Sequence, residues 1–245
     1  MRARGDGRSA RRLSPIAAPL VQWREPGDPS PHVKLYDYFR SSAAYRVRIA
    51  MNLKGLTPQR EFVHLRHGAQ RSDGYRRLNP QGLVPALAIE DGQVLTQSLA
   101  ILEYLDEMHP SPPLLPRGAE ARARVRAIAL SIACDIHPLN NLRVLDYLTG
   151  TLGVSREAKD GWYRYWIDVG FEALERQLAS DPATGRCCHG DTPTLADVCL
   201  VPQMANARRF DVDVSPYPTL VRIDAACNAM PAFADAAPAR QPDAE

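Results

Sequence analysis

The sequence predicts an α/β domain followed by an all-α domain, and three observations support this division. Strand-like and helix-like segments alternate over residues 32–116. A proline-rich linker closes this part of the chain and contains Pro110, Pro112, Pro113 and Pro116. Beyond Arg117 the apolar residues recur only at helical spacing. We therefore expect one domain at residues 32–116 and a second, all-helical domain at residues 117–245.

The composition is that of a globular protein with a near-neutral body. Of 245 residues, 45% are hydrophobic and 24% are charged, which is ordinary for a folded, soluble chain. No apolar run approaches the roughly 18 residues that span a bilayer. Residues 1–31 hold six arginines but only three acidic residues, so little positive charge remains elsewhere. We expect neither a membrane nor a nucleic acid as a partner.

Residues 1–31 and the cysteines bear on targeting and compartment. This segment combines Arg with Pro, Gly and Ser and lacks a sustained apolar period, so we expect a disordered extension. An organelle presequence, a nucleic-acid-binding arm and a misassigned start codon are the alternatives.

The five cysteines form no CxxC pair and no even framework, which predicts reduced thiols in a cytoplasmic protein.

The first domain shows the element order of a thioredoxin-like fold. The predicted elements are a strand over 33–39, a helix over 45–54, a strand over 61–65, a helix over 72–78, strands over 84–89 and 93–95, and a helix over 98–108. Asp91-Gly92 is the expected hairpin turn. Because Pro85 precedes the third strand, Val84-Pro85 is a candidate cis bond that exposes the Val84 backbone to a peptide-like ligand.

The second domain is predicted to be helical throughout. Its apolar periods give helices over 122–134, 139–148, 157–178, 195–207 and 217–227. Thr194 and Asp197 have the spacing of a capping box at the start of the fourth of these helices. We interpret Asp197 as a structural capping residue rather than a catalytic one.

Two helix starts in the first domain carry candidate ligand-binding hydroxyls. A redox thioredoxin would need CxxC where the first strand meets its helix, but Ser41 and Ser42 stand there instead. Free backbone N–H groups, the helix dipole and serine hydroxyls at such a start favour an anion such as a thiolate. Gln97-Ser98 offers the same arrangement at a second helix. Plain helix capping remains the alternative at both places.

From Lys34 to Glu245 the chain resembles the zeta class of glutathione transferases, and within it the bacterial maleylacetoacetate isomerases. The motifs that carry the resemblance are residues 38–42 with 46–50, residues 79–85, residues 97–101, residues 134–141, Gly190-Asp191 with 194–197, and residues 206–210 with 216–218. They span both domains in order. The resemblance implies the glutathione transferase fold.

It also implies a glutathione-dependent cis–trans isomerase, usually dimeric, that converts maleylacetoacetate to fumarylacetoacetate in tyrosine and phenylalanine catabolism. The substrate is then a small dicarboxylate and the cofactor is glutathione. Two alternatives stay open: the same chemistry on maleylpyruvate in the gentisate pathway, and a glutathione-binding module without catalysis.

Several site residues follow from the resemblance. Ser41 would stabilise the glutathione thiolate, with Ser42 supporting it. The remaining glutathione-binding positions would be Gln70, Val84, Gln97, Ser98, His137 and Asn141. The sequence departs from the animal zeta pattern at Ala43, where that pattern has a cysteine, so no cysteine can act at this position.

Three arginines are the candidates for binding the carboxylates of the substrate. A guanidinium binds a carboxylate in a bidentate manner, which favours Arg40, Arg143 and Arg209. Surface or inter-helix salt bridges are the alternative role for each. Cys187-Cys188-His189 lacks the ligand spacing and the fourth partner that zinc requires, so we expect no metal.

Overall fold

A mixed four-stranded sheet with strand order β2-β1-β3-β4 organises the first part of the computed structural model, which describes residues 33–90 and 92–245. The strands are β1 (Lys34–Asp37), β2 (Gln59–Phe62), β3 (Ala86–Ala88) and β4 (Val94–Thr96). β1 pairs in parallel with β2 and antiparallel with β3, and β3 pairs antiparallel with β4. The expectation for residues 1–31 lies outside the described residues.

The helices follow the predicted order, except that the last, short helix was not predicted. They are α1 (Ser42–Leu53), α2 (Asp73–Leu78), α3 (Ser98–Met108), α4 (Ala119–Leu130), α5 (Leu142–Gly150), α6 (Arg156–Ser180), α7 (Leu195–Arg209), α8 (Pro218–Asn228) and α9 (Pro231–Ala234). A π-helical turn and a 3-10 turn continue α4 as far as Asn140. In the described part of the chain, no helix combines the length and apolar character needed to cross a membrane.

Three of the four predicted strands are longer than the observed ones, for reasons that are local, and the fourth, over 93–95, equals β4 in length but is displaced by one residue. β1 ends at Asp37 because the chain turns there, with the Ser41 backbone N–H donating to the Tyr38 carbonyl at 2.9 Å. β2 begins at Gln59 instead of Glu61. Most of its side chains are exposed, so it lacks the alternation of buried and exposed residues that marks a strand in a sequence.

Helix α1 is buried along most of its length. Its apolar residues Val47, Ile49 and Ala50 are fully buried, and the helix packs against α3, α7 and α9. Both parts of the chain therefore hold α1 in place. The start of α1, at Ser41, has a fixed position between the sheet and the helices of the second half.

A buried ion pair ties the end of β1 to α1. Arg48 Nη1 donates to Asp37 Oδ1 at 2.7 Å, and the two side chains are 4% and 0% exposed. Arg48 also donates to the Phe39 carbonyl at 3.0 Å and to the Ala236 carbonyl at 2.9 Å. From the C-terminal end of the chain, Asp243 Oδ2 accepts the Phe39 backbone N–H at 2.9 Å. The loop that leads into α1 is thus held on both sides.

The capping box predicted at Thr194 and Asp197 is present at the start of α7. Asp197 Oδ2 accepts from the backbone N–H and the hydroxyl of Thr194 at 2.7 and 2.9 Å, and Oδ1 accepts from the Cys188 backbone N–H at 2.7 Å. Burial raises the pKa of Asp197, and these hydrogen bonds oppose the rise. Both carboxylate oxygens are occupied by these backbone and hydroxyl donors, which supports the structural interpretation of Asp197.

Replacing Asp197 by Ala is expected to lower the free energy of unfolding by about 2–4 kcal/mol, because it leaves buried backbone donors without partners. Ser155→Ala is the matched control, since Ser155 caps the exposed start of α6 through the Ala158 backbone N–H. That change should cost only about 1 kcal/mol. Urea unfolding of both variants measures the difference, and equal losses would contradict the role of Asp197.

Candidate active site

A cavity of about 700 Å³ opens in front of the start of α1. Nine of the predicted site residues line it: Arg40, Ser41, Ser42, Gln70, Val84, His137, Asn141, Arg143 and Arg209. A second cavity of about 290 Å³ shares Val84, His137, Asn141 and Arg143 with the first and adds Gln97 and Ser98. The structure therefore brings all eleven predicted side chains to two adjoining cavities.

Ser41 is the N-cap of α1. Its backbone is extended, and its Oγ accepts the Ala44 backbone N–H at 3.2 Å. The hydroxyl proton of Ser41 is not used by this bond and can point to a ligand. Because the first N–H groups of a helix have no intrahelical acceptor, this end of α1 favours a bound anion. Capping and anion binding are compatible roles here.

Ser42 makes a direct contact with His137, which comes from the second half of the chain. Ser42 Oγ and His137 Nδ1 lie 3.0 Å apart. Burial, and then the positive charges of Arg46 and Arg143, lower the pKa of His137 to about 3. The imidazole is therefore neutral at pH 7, and it can exchange a hydrogen bond with Ser42 without adding a charge beside a thiolate.

Two further positions are suited to a peptide-like ligand. The Val84-Pro85 peptide bond, the candidate cis bond of the sequence, is cis, and Val84 lies just ahead of β3 on the wall of both cavities. Gln70 is buried, and its Oε1 has no hydrogen-bond partner among the described residues. A Cβ at Gly82 would lie 3.0 Å from the Gln70 carbonyl oxygen, so the glycine permits this close approach.

The start of α3 forms one wall of the second cavity. Gln97 has a φ of 69°, a left-handed conformation that is strained for this residue type. Its Nε2 donates to Gln81 Oε1 at 2.9 Å. Ser98 is buried, and its Oγ accepts from Arg46 Nη1 at 3.2 Å. Strain at a residue that lines a cavity is a common mark of a binding site.

The three predicted carboxylate-binding arginines lie at the larger cavity without an acidic partner. Among residues 33–90 and 92–245, no carboxylate lies within 4.0 Å of the guanidinium groups of Arg40, Arg143 or Arg209. Arg40 lies over the Phe39 ring at 5.0 Å. Arg209 lies over the Phe210 ring at 5.0 Å, and its Nη2 contacts the Tyr163 hydroxyl at 3.4 Å. Within the described ranges, none of the three makes the salt bridge that was the alternative role.

The larger cavity contains more positive charge than the sequence analysis assigned to it. Its further cationic side chains are Arg66, Arg71, Arg76, Arg156, Lys159 and Arg164, and its acidic ones are Asp160 and Asp211. Four of these cations already pair with carboxylates: Arg66 with Glu245, Arg71 with Asp146, and Arg156 and Lys159 with Asp160. Tyr163 and Phe210 stack on each other at 3.5 Å beside Arg209. The helical period of residues 157–178 carried the signal only for the members on α6, where Lys159 and Tyr163 lie one turn apart. An excess of cations attracts multiply charged anions.

Two clusters in the described residues have ligand atoms within 4.8 Å of one another, as a metal site would require. In the first, Cys187, Asp197 and Cys227, the carboxylate is already occupied by capping. In the second, His64, His67 and Glu245, the carboxylate already pairs with Arg66 at 2.8 Å. His189, the last residue of Cys187-Cys188-His189, contacts Arg124.

Comparisons with known proteins agree with this geometry. Residues 40–108 match the family model of the glutathione S-transferase N-terminal domain. A probable maleylacetoacetate isomerase from Vibrio cholerae serotype O1 is 56% identical over 214 residues, which are 86% of this chain and 97% of that protein. The chain therefore belongs to the glutathione transferase family.

Solved structures place it further, in the zeta class. The holo structure of a maleylpyruvate isomerase, described as a bacterial glutathione S-transferase of the zeta class, has 51% identity and a TM-score of 0.84, covering 86% of this chain and all of that one. A maleylacetoacetate isomerase from Methylobacterium extorquens AM1, solved with malonate and glutathione, has 44% identity and a TM-score of 0.85, covering 86% and 99%. The predicted fold class and the resemblance are confirmed.

The lowered pKa of His137 predicts a pH dependence of stability. The folded chain keeps His137 neutral below pH 6.5, where the unfolded chain binds a proton, so stability falls as the pH falls from about 6.5 towards 3. This loss amounts to at most about 1.4 kcal/mol of unfolding free energy per pH unit. We expect His137→Gln to abolish the contribution of this residue. Urea unfolding at pH 7, 6 and 5 tests it, with the surface change His67→Gln as control. An unaltered slope in His137→Gln would contradict the neutral, buried histidine.

Proposed function

We propose that this protein is a glutathione-dependent isomerase that converts maleylacetoacetate to fumarylacetoacetate. The observation that carries the proposal is the pair of hydroxyls at the start of α1, Ser41 and Ser42, within a cavity that has a large excess of positive charge. A thiolate and a dicarboxylate are both anions, and this cavity suits the two together. The identity to isomerases of the zeta class supports the same conclusion.

When bound, glutathione supplies a thiolate that can add to the cis double bond, allow rotation about the resulting single bond, and leave again. Ser41 donates its hydroxyl proton to that sulfur in a charge-assisted hydrogen bond, while the dipole of α1 stabilises the negative charge. Ser42 is oriented by neutral His137. Both serines therefore lower the pKa of the thiol, which releases its proton to solvent and needs no general base.

The peptide part of glutathione fits the positions around the thiolate site. The backbone of Val84 would pair with the cysteinyl residue as a neighbouring strand does. The buried Oε1 of Gln70 is an acceptor that a ligand N–H can satisfy. Gln97 and Ser98 would hold the γ-glutamyl carboxylate at the start of α3, and Asn141 would complete the site. Glutathione binding is thus assigned to residues 32–116, with contributions from His137 and Asn141.

The substrate carboxylates would be held by Arg40, Arg143 and Arg209. Their guanidinium groups face the larger cavity and have no acidic partner among the described residues. Binding the two carboxylates fixes the double bond against the sulfur, and a guanidinium nearby stabilises the negative charge that develops on the conjugated carbonyl oxygen. This assigns the substrate to residues 117–245 together with the loop at Arg40.

We further propose a cytoplasmic homodimer that acts in tyrosine catabolism. The described cysteines are all free thiols, which supports a reducing compartment. Light scattering of the full-length chain at micromolar concentration tests the dimer, and a monomer mass would overturn it.

The experiment that tests the main proposal follows absorbance during isomerisation of maleylacetoacetate and of maleylpyruvate by the full-length chain, each with and without glutathione. Glutathione-dependent turnover of maleylacetoacetate with the higher kcat/KM is expected. A higher kcat/KM for maleylpyruvate would assign the second substrate instead. Glutathione binding by calorimetry without turnover of either compound would reduce the function to a binding module.

Ser41→Gly is expected to lower kcat at least about 100-fold, because it removes the hydroxyl donor while glycine is tolerated at an N-cap. Unfolding in urea should show a loss of only a few tenths of a kcal/mol. Ser155→Gly, the same change at the cap of α6, should leave kcat unaltered. Turnover of Ser41→Gly within twofold of the wild type would exclude Ser41 from the reaction.

Arg209→Ala is expected to raise the KM for maleylacetoacetate about tenfold or more, because a charged hydrogen bond to a carboxylate is lost. Its neighbour Arg208 pairs with the buried Asp224 at 2.5 Å and does not line the cavity. Arg208→Ala should therefore lower stability but keep the KM. Steady-state kinetics of both variants decide the role, and an unchanged KM in Arg209→Ala would remove this residue from the site.

A further inference from the structure

Arg46 is a buried arginine to which the proposed function assigns no role. It lies in α1, five residues beyond Ser41, and its side chain is 1% exposed. It reaches the wall of the second cavity, beside Ser98 and His137. It is also the largest of the fully buried side chains.

The hydrogen bonding of Arg46 is incomplete. Nη1 donates to Ser98 Oγ at 3.2 Å, whereas Nε and Nη2 are buried and have no partner among the described residues. No carboxylate within residues 33–90 and 92–245 forms an ion pair with Arg46. The ionisable groups near it are Cys134, Cys199 and His137. None of them is an acid that would balance a guanidinium, which stays protonated in proteins.

Arg48, two residues further along α1, shows what a satisfied buried arginine looks like in this chain. Its guanidinium pairs with Asp37 and donates to the carbonyls of Phe39 and Ala236. Burial of a charge without such partners is unfavourable. The contrast indicates that Arg46 is completed by a group that is bound rather than built in, and that this group is an anion.

The position of Ser98 identifies where that anion binds. Ser98 opens α3, so free backbone N–H groups face the same cavity. Its Oγ accepts from Arg46, which leaves the hydroxyl proton directed away from Arg46 and polarised for donation. A carboxylate bound at this helix start would accept a hydrogen bond from the Ser98 hydroxyl and be attracted by the positive charge of the Arg46 guanidinium.

We propose that Arg46 is a positioning residue of the glutathione site, which orients the Ser98 hydroxyl toward the γ-glutamyl carboxylate and supplies the charge that this carboxylate balances. The inference rests on the proposed binding of glutathione and extends it. Arg46 would then lower the stability of the ligand-free protein and contribute favourably only in the complex with glutathione. A merely structural arginine would behave in the opposite way.

Calorimetry with two ligands tests the proposal on the full-length chain. The ligands are glutathione and 4-aminobutyryl-cysteinylglycine, which lacks the γ-glutamyl α-carboxylate but keeps the rest of the molecule. Arg46→Met should reduce the preference for glutathione over this analogue by about tenfold or more, and Arg46→Lys should keep part of it. Arg208→Met, the control, removes an arginine that lines neither cavity and should leave the preference as it is in the wild type. A wild-type preference in Arg46→Met would overturn the proposal.

Urea unfolding without ligand gives a second readout that does not depend on glutathione. Arg46→Met should be at least as stable as the wild type, because a buried unpaired charge is removed, whereas Arg48→Met should be less stable. An Arg46→Met variant that is destabilised as much as Arg48→Met, or that fails to fold, would assign a structural role and overturn the proposal. Failure of the wild type to bind glutathione would contradict the proposed function itself.

Discussion

The contact between Asp37 and Arg48 is the constraint on which the geometry of the site depends. Asp37 ends β1, and Arg48 reaches back from α1 to bind it while also holding the Phe39 carbonyl. Both side chains are buried, and Arg60 also pairs with Asp37, so loss of Asp37 would leave the buried Arg48 without its carboxylate partner and the pair cannot open without a large cost in free energy. The loop between strand and helix is therefore rigid, and the Ser41 hydroxyl at its end has one position relative to the cavity. A donor held in advance at the reacting sulfur does not need to reorganise during the reaction.

The charges around the start of α1 suit two anionic reactants, a thiolate and a dicarboxylate. The cavity wall has cations in excess, while the group that touches Ser42, His137, is kept neutral by burial. A cation at His137 would stabilise the thiolate so strongly that it would become a poorer nucleophile. Hydroxyls and a helix dipole give a weaker stabilisation, which leaves the sulfur reactive. The arginines at the cavity can then act on the carboxylates of the substrate.

Local patterns in the sequence predicted the element order, the capping box at Thr194 and the residues at the two helix starts. These features depend on contacts within a few residues, and such contacts are visible in sequence spacing. The strand bounds were less accurate because pairing partners rather than side-chain patterns set them. The site features that sequence reasoning missed arise from distant segments: Asp243 binds the Phe39 backbone across 204 residues. The unpaired state of Arg46 was equally invisible, because burial without a partner is a property of the fold.

The proposed mechanism requires that the start of α1 stabilise a bound thiolate. The most direct measurement is the ultraviolet absorbance of the thiolate of glutathione bound to the full-length chain, titrated against pH and compared with free glutathione. A free thiol of this kind has a pKa of about 8.5. We expect the bound thiol to have a pKa at least about one unit lower. A bound thiol that titrates at the same pH as free glutathione would contradict it.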